Sequence, residues 1–187
     1  MPIIDHFGMI APFYDRVMNA VDTTRLQELV GLSEGGRLLD AAGGTGRVSS
    51  TFAPYAGQVV VADVSRGMLC QAVEKPKLDP VQTVSERLPF ADGTFDAAIM
   101  VDALHHVKDQ RKTALELWRV VRPGGRIVIE EPNIHHLAVK FMALGEKVLL
   151  MRSHFLAPVE IEELFRPVGA STRIVRDGWN SWVVVER

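Results

Sequence analysis

Four groups of residues in this chain have the types and spacings from which chemistry can be built. The first runs from Asp40 to Arg47, an acid followed by glycines at Gly43, Gly44 and Gly46. Glycine lets the backbone take positive φ and approach a ligand closely, and a helix opening there would aim free N–H groups at the same spot. The second is Asp63, at the end of the apolar run Val59-Val60-Val61-Ala62 and 17 residues beyond Gly46. An acid leaving the strand beside the first one is placed to accept hydrogen bonds from two neighbouring ribose hydroxyls. The third and fourth are the pairs His105-His106 and Glu130-Glu131, each just past a later apolar run. Both types can carry protons, and histidine does so near neutral pH.

Spacing narrows what the glycine turn can hold. Counted from Gly44 and Gly46, the third glycine of a dinucleotide fingerprint would fall at Ser49, so that pattern is broken. Asp40 precedes the glycines, where it would repel a pyrophosphate but tolerate a cation, directly or through water. A nicotinamide-dependent oxidoreductase is therefore disfavoured. Val64 and Met68 could flank a flat ring beside Asp63, and ordinary core packing would explain them equally well. Either His105 or His106 could act as a general base, with Glu131 as a further candidate; adjacent residues point different ways, so one histidine of the pair should order the helix that follows. His135, His136 and His154 add to the histidine count. The pairs are adjacent and lack the i, i+3 or i, i+4 spacing that puts ligands on one helix face, so no metal is expected.

These groups must be positioned by alternating strands and helices. Short apolar runs bounded by turn residues predict strands over 37–41, 59–63, 81–85, 95–101, 126–130, 172–176 and 182–186. Amphipathic stretches predict helices over 22–30, 46–52, 66–75, 109–121, 134–151 and 159–165. Residues 75–80 hold two prolines and read as loop, and Pro123-Gly124-Gly125 reads as the turn into the fifth strand. Too few residues separate Ser85 from Phe95 for a crossover helix, and Arg176-Asp177-Gly178-Trp179 reads as the tight turn of an antiparallel pair. The fold class is α/β: a Rossmann-like, mostly parallel seven-stranded sheet with helices on both faces.

The chain has 187 residues, 47% hydrophobic and 24% charged, with net charge −2. That suits one globular domain over 1–187, and no basic block gathers to track a nucleic acid. The acidic N-terminal stretch does not read as a secretory signal, and no uncharged run is long enough to span a bilayer. The single cysteine, Cys70, excludes an internal disulfide and fits a cytoplasmic location; it is expected to pack inside a helix. A monomer or homodimer is expected.

Four segments carry a resemblance: LLDAAGGTGRV at 38–48, VVVADVSRGML at 59–69, SERLPFADGTFDAAIMVDALHHV at 85–107 and LWRVVRPGGRIVIEEPN at 117–133. In this order they resemble the class I S-adenosylmethionine (SAM)-dependent methyltransferases, in the branch of the ubiquinone/menaquinone C-methyltransferases. The resemblance runs from about Ala11 to the C-terminus. It implies SAM as cofactor and a small, apolar methyl acceptor, with a SAM-binding protein lacking its own turnover, or a partner-dependent subunit, as the alternative. Gly43, Gly44 and Gly46 would approach the methionine part, with Asp40 serving its ammonium. Asp63 would hold the ribose. Ser85 and Glu86 would lie along the adenine edge, and Asp102 would offer its carbonyl near the methionine amine. Tyr14, in Phe13-Tyr14-Asp15, resembles an aromatic that closes over the cofactor within an N-terminal segment, 1–30. Residues 134–156 would cover the acceptor. The chain departs from the branch at Ala42, where a glycine is frequent, at Val84, where an acid is frequent, and at Asn133, where serine is usual.

Overall fold

The computed structural model describes residues 23–132, 154–178 and 180–187. Tyr14, most of the 1–30 segment, and the 134–151 helix lie outside the described residues.

Seven strands form one sheet: β1 (Arg37–Ala41), β2 (Gln58–Asp63), β3 (Leu78–Gln82), β4 (Phe95–Val101), β5 (Val121–Pro132), β6 (Ser171–Asp177) and β7 (Asn180–Glu186). Their spatial order is β3-β2-β1-β4-β5-β7-β6. Strands β1 to β5 are parallel, with Leu39 beside Val60 and Ala98. β7 runs antiparallel between β5 and β6, pairing Val128 with Val184 and Ile174 with Val183. The chain starts at β1, runs outward through β2 and β3, then returns to the other side of β1 with β4. That reversal opens a crevice at the carboxyl ends of β1 and β4, where such sheets bind ligands.

The strands form because their apolar residues alternate and both faces can be covered. Leu39, Ala41, Val60, Ala98, Met100, Ile127, Ile129 and Val183 face one core. The helices α3 (Gln110–Val120) and α4 (Pro158–Phe165) seal it with Ala114, Leu117, Ile161 and Phe165. Leu38, Val59, Val61, Ile99, Val128 and Val184 face the opposite core, closed by α1 (Thr24–Val30) and α2 (Arg66–Val73) through Leu26, Leu29, Leu69 and Ala72. Asp40 shares the parity of Leu38 and is buried on that second face, an acid where the strand pattern wants an apolar side chain.

The helix starts near the crevice are capped by side chains. Ser65 accepts the Met68 N–H at the start of α2, and Asp109 accepts the Lys112 N–H at the start of α3. The 83–94 connection carries no helix, as its length requires. Arg119 of α3 holds it by donating to the carbonyls of Leu88 and Phe90 and to Asp92, while Glu116 accepts the Leu88 N–H.

Four sequence expectations need correction. The third strand is 78–82 rather than 81–85, and it takes in Pro80 because β3 is an edge strand, where a missing N–H faces no partner. Residues 46–52 form only a short 3₁₀ turn at Ser49–Thr51 in place of a helix, following Gly46 at φ +69°. β5 begins at Val121, directly after α3. Pro123-Gly124-Gly125 lies within it as an irregularity, where the pairing slips between Phe95–Val121 and Ala97–Arg126. Cys70 sits on α2 but is exposed.

Candidate active site

The turn after β1 is tightly built. The Gly43 N–H donates to the Ala62 carbonyl and the Gly46 N–H to the Gly43 carbonyl, at 3.2 and 2.9 Å. A Cβ on Gly43 would lie 2.4 Å from the Asp40 carboxyl carbon, so only glycine lets that acid tuck beneath the turn. Gly44 has φ +57° and opens onto space, a hypothetical Cβ meeting only the Met68 sulfur at 3.9 Å. Ala42 also takes positive φ, at 55°, an uncommon conformation for a residue with a side chain.

Asp63 joins this turn to the second strand. One carboxylate oxygen accepts the Gly44 N–H at 2.9 Å, the other the Ser65 N–H at 2.7 Å. A carboxylate has about four acceptor positions in all. Beside it Val64 is 66% exposed, and Val84, past β3, is 46% exposed. Met68, by contrast, is buried beneath the glycine turn.

Charge concentrates under the crevice. Burial pushes the Asp40 carboxyl up to about 7, with the Asp63 charge adding to it and Ser49 and Arg47 opposing. Among the described residues, one Asp40 oxygen and the Nε and Nη1 of Arg47 have no hydrogen-bond partner. Glu130 accepts from Trp182 Nε1 and from Asn180 Nδ2, both at 2.7 Å. Burial raises its carboxyl to about 7 as well, the Trp182 bond and Arg47 opposing and Asp102 and Glu131 adding. A buried acid beneath a glycine turn suits a cationic amine.

The neighbouring residue Glu131 turns the other way. Its two oxygens accept the Leu104 N–H at 2.8 Å and contact His105 Nδ1 at 2.6 Å, all buried. The His105 ring stacks on Phe155 at 4.1 Å and lies 4.0 Å from the His106 ring. The His154 N–H donates to the His105 carbonyl, and Gln110 Nε2 donates to the carbonyls of Leu104 and His154. Burial, with the neighbouring His105 adding to it, lowers His106 to about 4, so it is neutral at physiological pH.

The structure thus brings Asp40, Gly43, Gly44, Gly46, Asp63, Val64 and Met68 to one side of the crevice and Asp102, His105, His106 and Glu131 to the other. Asp102 has φ +50° and donates its N–H to the Glu130 carbonyl, continuing the β4–β5 pairing by one residue. Ser85 is buried, and the Glu86 carboxylate accepts the N–H groups of Lys108 and Asp109 at 2.8 and 3.1 Å, fastening the 83–94 connection to the start of α3. Sequence reasoning missed Arg47, Trp182 and Asn180 around Glu130. Trp182 stands opposite Glu130 in the β5–β7 register, a pairing that no local pattern announces. Among the described residues no group of three or more His, Cys, Asp or Glu could hold a metal ion, and no helix is long and apolar enough to cross a membrane.

This strand order, with an antiparallel seventh strand and a glycine turn at the reversal, defines a Rossmann-like methyltransferase fold. It superposes on a SAM-dependent methyltransferase from Aquifex aeolicus with a TM-score of 0.76 at 19% identity, covering 96% of this chain and 97% of that one. A chain of the complex between the Haloferax volcanii Trm112 methyltransferase activator and a methyltransferase gives 0.82 at 17% identity, covering 98% of each. Residues 39–129 match the family described as a methyltransferase domain. A demethylmenaquinone methyltransferase of Renibacterium salmoninarum is 37% identical over 133 residues, which make up 67% of this chain and 56% of that protein. A ubiquinone/menaquinone biosynthesis C-methyltransferase of Klebsiella pneumoniae is 36% identical over 164 residues, 76% of this chain and 65% of that protein. The chain therefore spans between about half and two thirds of the length of these two relatives.

Proposed function

We propose that this protein transfers a methyl group from SAM to a small, apolar acceptor. The observation that carries the reading is the Asp63–Gly44 junction. It fixes a glycine cradle and a carboxylate side by side at the reversal of the sheet, where adjoining parts of one adenosyl–amino-acid ligand would be held. Gly43 and Gly44 would face the methionine part, with the buried acid Asp40 complementing its ammonium. Asp63 would accept from the ribose hydroxyls. Val64 would cover one adenine face, with Ser85, and Glu86 through the segment it fastens, at the ring edge. Asp102 would serve the methionine amine through its carbonyl, and Tyr14 would close over the cofactor from the 1–30 segment. When bound, SAM supplies a methyl group on a sulfonium that is already a good leaving group. The protein's part is then to align the acceptor and exclude water, which can lower the barrier by about 7–11 kcal/mol. The names of the quinone-methylating relatives support a ring-bearing small molecule as the acceptor.

Isothermal titration with S-adenosylhomocysteine is the test of the cofactor. Binding at one site per chain is expected, and absence of heat from folded protein would remove the reading. Transfer of tritium from methyl-labelled SAM to a panel that includes demethylated naphthoquinols then tests the acceptor class.

A further inference from the structure

We infer that His105 takes the proton that the acceptor loses during transfer, and that Glu131 is its positioning residue. This rests on the methyl-transfer reading and assigns roles among its proton-carrying groups.

Geometry separates the candidates. Glu131 accepts at both oxygens, from Leu104 N–H and from His105 Nδ1, and so fixes both the 104–106 turn and the ring within it. With Glu131 as a carboxylate, an acceptor only, the hydrogen of the 2.6 Å contact sits on Nδ1. The lone pair is then on Nε2, which makes no hydrogen bond among the described residues. Phe155, nearly parallel to the ring at 17°, prevents it from tilting. The turn follows β4 directly, on the same rim as the glycine cradle. A histidine with one nitrogen held by a buried carboxylate and the other left as an acceptor is arranged as a general base.

The other candidates are placed differently. The His106 ring rests against that of His105. Glu130 is occupied by Trp182 and Asn180 of β7. Glu131 itself is engaged by the Leu104 N–H and the His105 ring. Its charge stabilises the imidazolium as that forms.

The step balances as follows. Nε2 of His105 takes the proton from an acceptor O–H or C–H. The electron pair left on the acceptor makes the new bond to the methyl carbon, and the pair of the broken carbon–sulfur bond stays on sulfur. The ring then gives its proton to solvent. The implied acceptor has a nucleophilic atom that must ionise, such as a phenol or an enolisable carbon.

Two measurements test this. The first needs no acceptor: long-range proton–nitrogen spectra of ¹⁵N-histidine-labelled protein saturated with S-adenosylhomocysteine. The neutral His105 ring should carry its proton on Nδ1 and leave Nε2 unprotonated, and Glu131→Gln should mix the tautomers. A neutral wild-type ring protonated on Nε2 overturns the proposal. The second is single-turnover tritium transfer from SAM to 1,4-dihydroxynaphthalene and to benzylamine. His105→Gln should slow transfer to the dihydroxynaphthalene on the order of a hundredfold. Glu131→Gln, which keeps an acceptor for Leu104 N–H, should slow it roughly tenfold, both variants binding S-adenosylhomocysteine as the wild type does. A purely structural contact would leave the Glu131→Gln rate within twofold. Wild-type rates in either variant, or transfer to the amine alone, overturn the proposal. Loss of S-adenosylhomocysteine binding in the wild type would instead strike at the methyl-transfer reading.

Discussion

The carboxylate of Asp63 accepts the Gly44 N–H at 2.9 Å, so the end of β2 and the turn after β1 move as one unit. Removing that carboxylate both frees the turn and deletes the expected ribose acceptor. Asp63→Ala should weaken S-adenosylhomocysteine binding by about 2–4 kcal/mol, and Asp63→Asn, which keeps one carbonyl acceptor, by less. Titration calorimetry reads this directly, and equal affinities in all three proteins would show that the ribose lies elsewhere.

Ala42 holds φ +55° at the first position of the same turn. A methyl-bearing residue there costs roughly 1–2 kcal/mol, partly offset by the greater chain entropy that glycine loses on folding. Ala42→Gly should therefore gain about 1 kcal/mol, a rise in Tm of roughly 2–4 °C for a chain of this size. Gly43→Ala should do the reverse, because its methyl would strike the Asp40 carboxyl. Thermal melts of the two variants should move in opposite directions.

Asp40 and Glu130 both have carboxyls raised to about 7 by burial. The folded state thus holds these protons more tightly than the unfolded chain, where such groups titrate near 4. The stability they contribute is complete below about pH 4 and is lost as pH climbs through about 7. Denaturant midpoints of the ligand-free protein should fall between pH 5 and pH 8. Asp40→Asn should flatten that fall and be the more stable protein at pH 8, by at most about 4 kcal/mol. A wild-type profile that rises over this range would contradict the burial of the two acids.

Arg119 donates to the carbonyls of Leu88 and Phe90 and pairs with Asp92 and Glu116. It replaces a crossover helix as the fastening of the 83–94 connection. Arg119→Ala should cost about 1–3 kcal/mol and speed amide exchange in residues 86–94 before global unfolding. Exchange rates there equal to the wild type's would show that Glu86 and Glu116 suffice.

Wherever the signal was local, the sequence was readable. The seven strands, the helix-free 83–94 connection and the closing hairpin follow from alternation, spacing and turn residues. The misread elements were those in which an outside partner, or its lack, reversed a local preference. Pro80 reads as a strand breaker until β3 proves to be an edge, and Pro123-Gly124-Gly125 reads as a turn until β4 pairs across it. Cys70 reads as core by residue type, yet it lies exposed on α2.

The glycine turn at 43–46 and the acid at 63 are properties of the chain itself, because positive φ and strand-end placement depend on neighbouring residues. Tertiary structure alone decided what those residues touch. Asp63 meets Gly44 across 19 residues, Glu131 meets His105 across 26, and Trp182 meets Glu130 across 52. Such contacts leave no periodic trace along the chain. They depend on which strands become neighbours in the sheet, and that is settled by burying two apolar faces at once.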